Sequence, residues 1–218
     1  MNEELTKRII SSIILIPISL FIIIKGSLFF NFFIIICFFI TAYEWHMMTR
    51  NKPIYFPGLI FLIISFYSIF LLRNNFSGDY FLFLMITLIC IATDIGGYMF
   101  GKLFKGPKLT KISPKKTYAG MIGSYLLSII VLIIFLHLSN LFLTSTKITI
   151  NIIIFALLVS SISQLGDILV SYFKRLSNIK DTGKIIPGHG GLLDRIDGMI
   201  FAYPFSYITL KLNYIQYI

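Results

Sequence analysis

Of the nine acidic residues in this 218-residue chain, five fall between Asp94 and Asp197, and four of these are Asp167, Asp181, Asp194 and Asp197. Lys174-Arg175, Lys180, Lys184, Arg195 and the turn Pro187-Gly188-His189-Gly190-Gly191 stand in the same stretch. Carboxylates, paired cations and a glycine-rich turn are what metal-assisted handling of phosphates requires. Ser160, Gln164, Asp167, Ser171 and Lys174 recur at spacings of 4, 3, 4 and 3, so they line one face of a helix that is otherwise Ile, Leu, Val and Phe. Such a face does not meet lipid, and Asp167 on it is a functional candidate. Its bland alternative is an inter-helix hydrogen bond, or a salt bridge to Lys174 or Arg175. Asp194 and Asp197 share a face if a helix has begun by Arg195. Together with Asp167 they would repel one another unless cations sat between them. Asp194 as a helix cap and Asp197 paired with Arg195 or a lysine is the structural alternative.

A second group precedes this one. Asp94 opens the run Asp-Ile-Gly-Gly-Tyr-Met-Phe-Gly, and the following loop offers Ser113, Lys115, Lys116 and Thr117 within a few residues, a candidate clamp for a polyphosphate. Gly96, Gly97 and Gly101 also read as notches for close helix packing. In the later turn, the glycines around His189 let backbone N–H groups approach an anion.

The elements that must position these groups are apolar. Hydrophobic residues make up 57% of the chain, charged residues 13%, and mean hydropathy is +0.88. The expected fold is an all-α polytopic membrane protein of about seven transmembrane helices with its N-terminus cytoplasmic. The spans are Ile9–Ile24, Leu28–Tyr43, Ile54–Leu72, Tyr80–Leu103, Tyr118–Leu143, Ile148–Arg175 and Ile196 onward, the last kinked at Pro204. They form one domain over 1–218, with less specific helices in 1–79 and the catalytic part in 80–218. The first run lacks a small-x-small cleavage site and reads as a retained helix. Trp45, with Glu44 and His46, reads as an interfacial anchor, and Cys37 and Cys90 as free buried thiols. The net charge of +10 does not require nucleic acid. Fifteen Lys and Arg fall on the side of the N-terminus and four (Lys25, Arg73, Lys147, Lys211) on the other, which puts both charged segments in the cytoplasm.

The stretch from Ser171 to Asp197 resembles the signature of phosphatidate cytidylyltransferases (CDP-diacylglycerol synthases). It has Ser-x-Phe-Lys-Arg, Lys-Asp-x-Gly and Pro-x-His-Gly-Gly-x-x-Asp-Arg-x-Asp, with every specified position filled. Asp94 to Gly120 is similar to that family's Asp-x-Gly-x-Tyr-x-x-Gly and Ser-Pro-Lys-Lys-Thr motifs, and Lys7-Arg8, Pro17 and Tyr43-Glu44-Trp45 resemble it less specifically. The sequence departs at Ala119, where the family often has Glu, and is short by about one helical hairpin between Trp45 and Asp94. The resemblance implies transfer of a cytidylyl group from CTP to phosphatidate, giving CDP-diacylglycerol and diphosphate, in a bacterial inner membrane with the site on the cytoplasmic side. It implies Mg²⁺, with or without a second cation, on Asp167 and Asp194. Lys174, Arg175, Asp197 and His189 would be catalytic; Ser171, Asp94, Ser113, Lys115, Lys116 and Thr117 would bind substrate. Partners would be CTP, phosphatidate and membrane lipids, with a homodimer allowed. The alternatives are a CTP-dependent lipid kinase of related architecture and a membrane transporter.

The charge distribution makes a topological prediction. A single cysteine at Lys108 is expected to react with an impermeant maleimide from the cytoplasmic side only, and one at Thr146 from the other side only. Labelling of both from one face breaks the assignment.

Overall fold

The computed structural model describes residues 3–74, 80–110, 113, 116–142, 148–188 and 190–212. It is helical: α1 (Glu3–Lys25), α2 (Ser27–Thr49), α3 (Tyr55–Asn74), α4 (Phe81–Phe104), α5 (Tyr118–Phe142), α6 (Ile150–Leu176), α7 (Leu193–Ile196) and α8 (Met199–Lys211). Among the described residues the only β-structure is two isolated bridges, Lys108 with Thr117 and Ile186 with Gly190. Five helices, α2 to α6, are long and apolar enough to cross a membrane. The apolar part of α1, Ile13–Lys25, and the 13-residue α8 are shorter than the roughly 20 residues a ~30 Å core demands. The ends of α3 to α6 lie within two residues of those expected from hydropathy. The expected last helix is interrupted at Asp197 and Gly198, although both keep α-helical torsions.

The chain divides into two compact units, Met1–Tyr80 with Phe173–Asp197, and Phe81–Tyr172 with Gly198–Ile218. In the first unit, α1 ends where Gly26 and Ser27 take positive φ (62° and 53°), reversing the chain into α2. The last carbonyls of a helix lack intrahelical donors. Here Arg73, at the end of α3 and only 6% exposed, supplies them, its Nε donating to Ile23 O at 3.0 Å and its Nη2 to Ile24 O at 3.4 Å. Its guanidinium also lies over the rings of Phe30 (5.8 Å) and Tyr80 (6.0 Å). A Cβ at position 26 would strike that guanidinium, so glycine serves there both for its φ and for its missing side chain.

The second helix runs past Tyr43 to Thr49, which corrects the expected boundary and the role of Trp45. Its indole is buried rather than at an interface: Nε1 donates to Tyr55 O at 3.1 Å, and the ring fills the space left by Gly58, where any Cβ would overlap it. The end of α6 packs on this part of α2. Phe173 meets Trp45 edge to face at 5.7 Å, Ser177 Oγ donates to Met48 O at 2.9 Å, and Lys52 Nζ donates to Leu176 O.

In the second unit, glycines bring α4 and α5 together. A Cβ at Gly120 would lie 2.7 Å from Gly97 O, and one at Gly96 or Gly123 would collide with the opposite helix. The packing reading of the α4 glycines is therefore the structural one. Hydroxyl groups complete the contacts: Ser124 Oγ donates to Thr93 O (2.7 Å), Thr93 Oγ1 to Ser160 Oγ (2.8 Å), and Tyr125 pairs with Ser161 (2.9 Å). Ser160 is wholly buried, so the polar stripe on α6 faces protein at that level. Large apolar side chains such as Phe39, Phe56 and Leu103 are 66%, 71% and 75% exposed, as lipid-facing residues would be.

Arg73→Met should lower stability by roughly 2–3 kcal/mol, since it strips buried carbonyls of a charged donor. Arg73→Lys should recover part of that loss. Thermal unfolding of monodisperse protein in detergent checks it, and an unchanged midpoint for Arg73→Met would remove the cap from the account.

Candidate active site

In the first unit, α7 turns Asp194 and Asp197 toward the same side chain. Lys174 Nζ lies 2.9 Å from Asp194 Oδ1 and 3.9 Å from Asp197 Oδ2. Two carboxylates spaced three apart thus do share a face with a cation between them, and that cation is an ammonium group. The second oxygen of Asp194 is also engaged, accepting the backbone N–H groups of Thr182 (2.8 Å) and Gly191 (3.0 Å). Burial pushes the Asp194 carboxyl up. The Lys174 hydrogen bond and charge and the two N–H donors outweigh this and hold it below the usual carboxylate range. It is ionised at neutral pH, and its bond to Lys174 persists as pH falls through the ordinary carboxylate range.

The loop between α6 and α7 is tied down at several points. Arg175 is exposed and its Nη1 donates to Ile179 O at 3.4 Å, while Ser11 Oγ donates to Pro187 O at 3.2 Å. Gly188 and Gly190 take φ of 75° and 91°, which glycine adopts at no steric cost. His189 between them lies outside the described residues. Lys180, Asp181, Lys184, Ile186 and Gly190 help to line a cavity of about 580 Å³ in this loop.

One acid that the sequence reading set aside as interfacial is central here. Glu44 of α2 is 1% exposed. Its Oε1 accepts the N–H of Leu192 at 2.9 Å; its Oε2 accepts the N–H of Leu193 at 2.7 Å and the hydroxyl of Thr182 at 3.1 Å. Its presence inside an apolar run was the available signal, because a buried acid is retained only with partners.

In the second unit, Asp167 Oδ2 lies 2.6 Å from Lys116 Nζ, and Oδ1 accepts the hydroxyl of Ser171 at 3.2 Å. Lys116 also donates to Gln164 O at 3.4 Å. The salt bridge weighed as the alternative role of Asp167 was to Lys174 or Arg175, whereas its ammonium partner here is Lys116, from the loop before α5. That loop folds on itself: Leu109 N–H donates to Lys116 O (2.8 Å), Lys116 N–H to Ser113 O (3.0 Å) and Tyr118 N–H to Pro107 O (3.2 Å). Thr117 Oγ1 accepts the Gly120 N–H at 3.1 Å, so its hydroxyl caps α5. Lys115 lies outside the described residues. Asp94 is on an exposed face of α4.

The structure therefore brings together Lys174, Asp194 and Asp197 in one unit, and Lys116, Asp167 and Ser171 in the other. Among the described residues no three His, Cys, Asp or Glu side chains are placed to hold a metal. Mg²⁺ does not need such a cage, since it binds one or two carboxylates and completes its shell with water and substrate phosphates. Asp167 suits that pattern best. It is about a quarter exposed, and both its partners are side chains that can move away. Asp194 offers Oδ1 alone.

The chain is similar to known proteins over most of its length. Residues 6–74 and 53–213 match the family described as the cytidylyltransferase family. The phosphatidate cytidylyltransferase of Rickettsia conorii is 35% identical over 202 residues, covering 89% of this chain and 86% of that protein. That of Rickettsia felis is 35% identical over 208 residues, covering 93% and 91%. The phosphatidate cytidylyltransferase of Bacillus subtilis is 28% identical over an alignment of 269 positions that covers 96% of this chain and 98% of that protein. That alignment is longer than this chain, so the Bacillus protein carries segments absent here. Matches from near the first helix to the end of α8 show that this chain belongs to the cytidylyltransferase family.

Proposed function

We propose that this protein is a phosphatidate cytidylyltransferase. A phosphate oxygen of phosphatidate attacks the α-phosphorus of CTP, the bond from that phosphorus to the α–β bridging oxygen breaks, and diphosphate leaves with the electron pair. The product is CDP-diacylglycerol. The observation that carries the reading is the extent of similarity to proteins of that name, about a third of positions across some nine-tenths of the chain.

The local geometry supports it. The attacking phosphate is already anionic at neutral pH, so no strong general base is needed, and the difficulty is to bring two polyanions together. Lys174 and Lys116 are cations held in place by carboxylates, and an arriving phosphate competes with those carboxylates for the same ammonium groups. Arg175 adds an exposed guanidinium within the signature. Ser171 donates to whichever anion stands beside it. Asp167 in the second unit and Oδ1 of Asp194 in the first are each a carboxylate that Mg²⁺ would take, and the metal would neutralise phosphate charge during transfer. In our reading α1 and the run from Ile196 onward, of which α8 is part, are the sixth and seventh crossings, α1 reaching about 34 Å over its 23 residues. The N-terminus and both lysine-rich loops then face the cytoplasm of a bacterial inner membrane, where CTP arrives from water and phosphatidate from the bilayer.

Purified protein incubated with phosphatidate, Mg²⁺ and CTP labelled at the α- or the γ-phosphorus tests the function. Label entering lipid from the α position is expected. Label entering from the γ position would mean a lipid kinase instead.

The structure separates the acids by their expected phenotypes. Asp167→Asn keeps size and hydrogen bonding at an accessible position, so it should melt like the wild type and lose about a hundredfold or more in specific activity. Asp194→Asn turns an amide donor toward the Thr182 and Gly191 N–H groups, or loses the Lys174 bond, and should lose both activity and stability. Lys174→Ala should also destabilise, because it leaves two buried carboxylates without their cation. Arg175→Ala should fold normally and turn over roughly ten- to a hundredfold more slowly. Full activity of Asp167→Asn, or wild-type activity that survives complete chelation, would defeat the metal assignment.

A further inference from the structure

A carboxylate buried as deeply as that of Glu44 is costly unless its oxygens are satisfied, and an apolar side chain would join α2 to α7 more cheaply. What it does instead is gather one loop. Thr182 stands at one end of that loop and Leu192 and Leu193 at the other, and all three donate to Glu44. Thr182 is shared, its N–H going to Asp194 and its hydroxyl to Glu44.

The glycines of the signature fit around this carboxylate. A Cβ at Gly183 would lie 2.7 Å from Glu44 Oε1, and one at Gly191 would lie 2.7 Å and 2.8 Å from the two oxygens. These distances are shorter than real Cβ contacts, so a side chain at either position would displace the Glu44 carboxylate, and at Gly191 also the Thr182 hydroxyl, 2.2 Å away.

The segment held at both ends contributes most of the lining of the 580 Å³ cavity, including Lys184, Ile186 and Gly190, with Lys180 and Asp181 just before it. That volume is in the range of about 300–1,000 Å³ typical of small-molecule sites. Lys180 and Lys184, with Asp181 between them in sequence, give this wall a net positive charge that suits a polyphosphate. Of the two substrates, only CTP carries one.

We propose, resting on the cytidylyltransferase reading, that Glu44 is a positioning residue for the nucleotide: it holds the Thr182–Leu193 loop in the shape that makes this cavity the pocket for the CTP polyphosphate. Glu44 touches neither reacting atom. It acts through Thr182 and the backbone at 192 and 193.

The test compares wild type with Glu44→Gln, Thr182→Val and Lys184→Ala, varying CTP and phosphatidate in turn and measuring equilibrium binding of CTP alone. Gln keeps the size of Glu but sets an amide donor against donors. Val removes the Thr182 hydroxyl and keeps its N–H on Asp194, so it tests the contact even if Glu44→Gln does not fold. Lys184 is exposed and tests the pocket wall directly. The KM and Kd for CTP should rise about tenfold in Thr182→Val and Lys184→Ala, the scale of one charge-assisted hydrogen bond, while the KM for phosphatidate stays unchanged. A lowered melting temperature with both KM values at wild-type levels would make Glu44 purely structural and overturn the proposal. A rise in the phosphatidate KM alone would overturn it as well. Wild-type protein that binds CTP, binds it more weakly as Thr182→Val, and forms no CDP-lipid would uphold the pocket and sink the cytidylyltransferase reading.

Discussion

Backbone N–H groups removed from water need acceptors, and a loop with no sheet or helix of its own supplies only some of them from within. Between α6 and α7 Ile186 N–H finds Gly190 O at 3.0 Å, and carboxylates take donors that the loop itself does not satisfy. Glu44 takes Leu192 and Leu193, Asp194 takes Thr182 and Gly191, and Lys174 balances the charge of Asp194. The positions of the signature then depend on one another. Gly183 and Gly191 are small because a carboxylate stands beside them, and Lys174 is buried because two acids flank its ammonium. Removing any one of these groups leaves a buried donor, acceptor or charge exposed to its neighbours without a partner, which costs more than the contact itself contributes.

The second unit solves a different problem by subtraction. Lipid offers no hydrophobic drive for one helix to join another, so α4 and α5 gain their attraction from close approach. Gly96, Gly97, Gly120 and Gly123 remove the side chains that would prevent it, and the hydroxyl bond from Ser124 to Thr93 O adds direction. The loop before α5 benefits from that rigidity. Thr117 caps the helix, and the adjacent Lys116 reaches Asp167 from a fixed origin.

Features set by local hydropathy were legible from sequence. The spans α3 to α6 and the polar stripe through Ser160 needed only periodicity, and the signature marked where chemistry would gather. Features set by distant partners were not. Glu44 looked interfacial because its donors lie up to 149 residues away, and ending α2 at Tyr43 followed from that reading. For Asp167 a bridge along its own helix was weighed only as the alternative to metal binding, and its ammonium partner, Lys116 from the loop before α5, was not foreseen. A cation beside Asp194 and Asp197 followed from charge repulsion, and repulsion did not reveal that Lys174 would supply one.

The cap on α1 has a consequence for the order in which the chain can assemble. The carbonyls of Ile23 and Ile24 are synthesised first, and the guanidinium that satisfies Ile23 belongs to a residue fifty positions later. At synthesis rates of about 5–20 residues per second, that donor emerges several seconds behind its acceptors. Until then these carbonyls at the junction of α1 and α2 must find other donors. The first hairpin of this protein is therefore completed during biogenesis by its third helix.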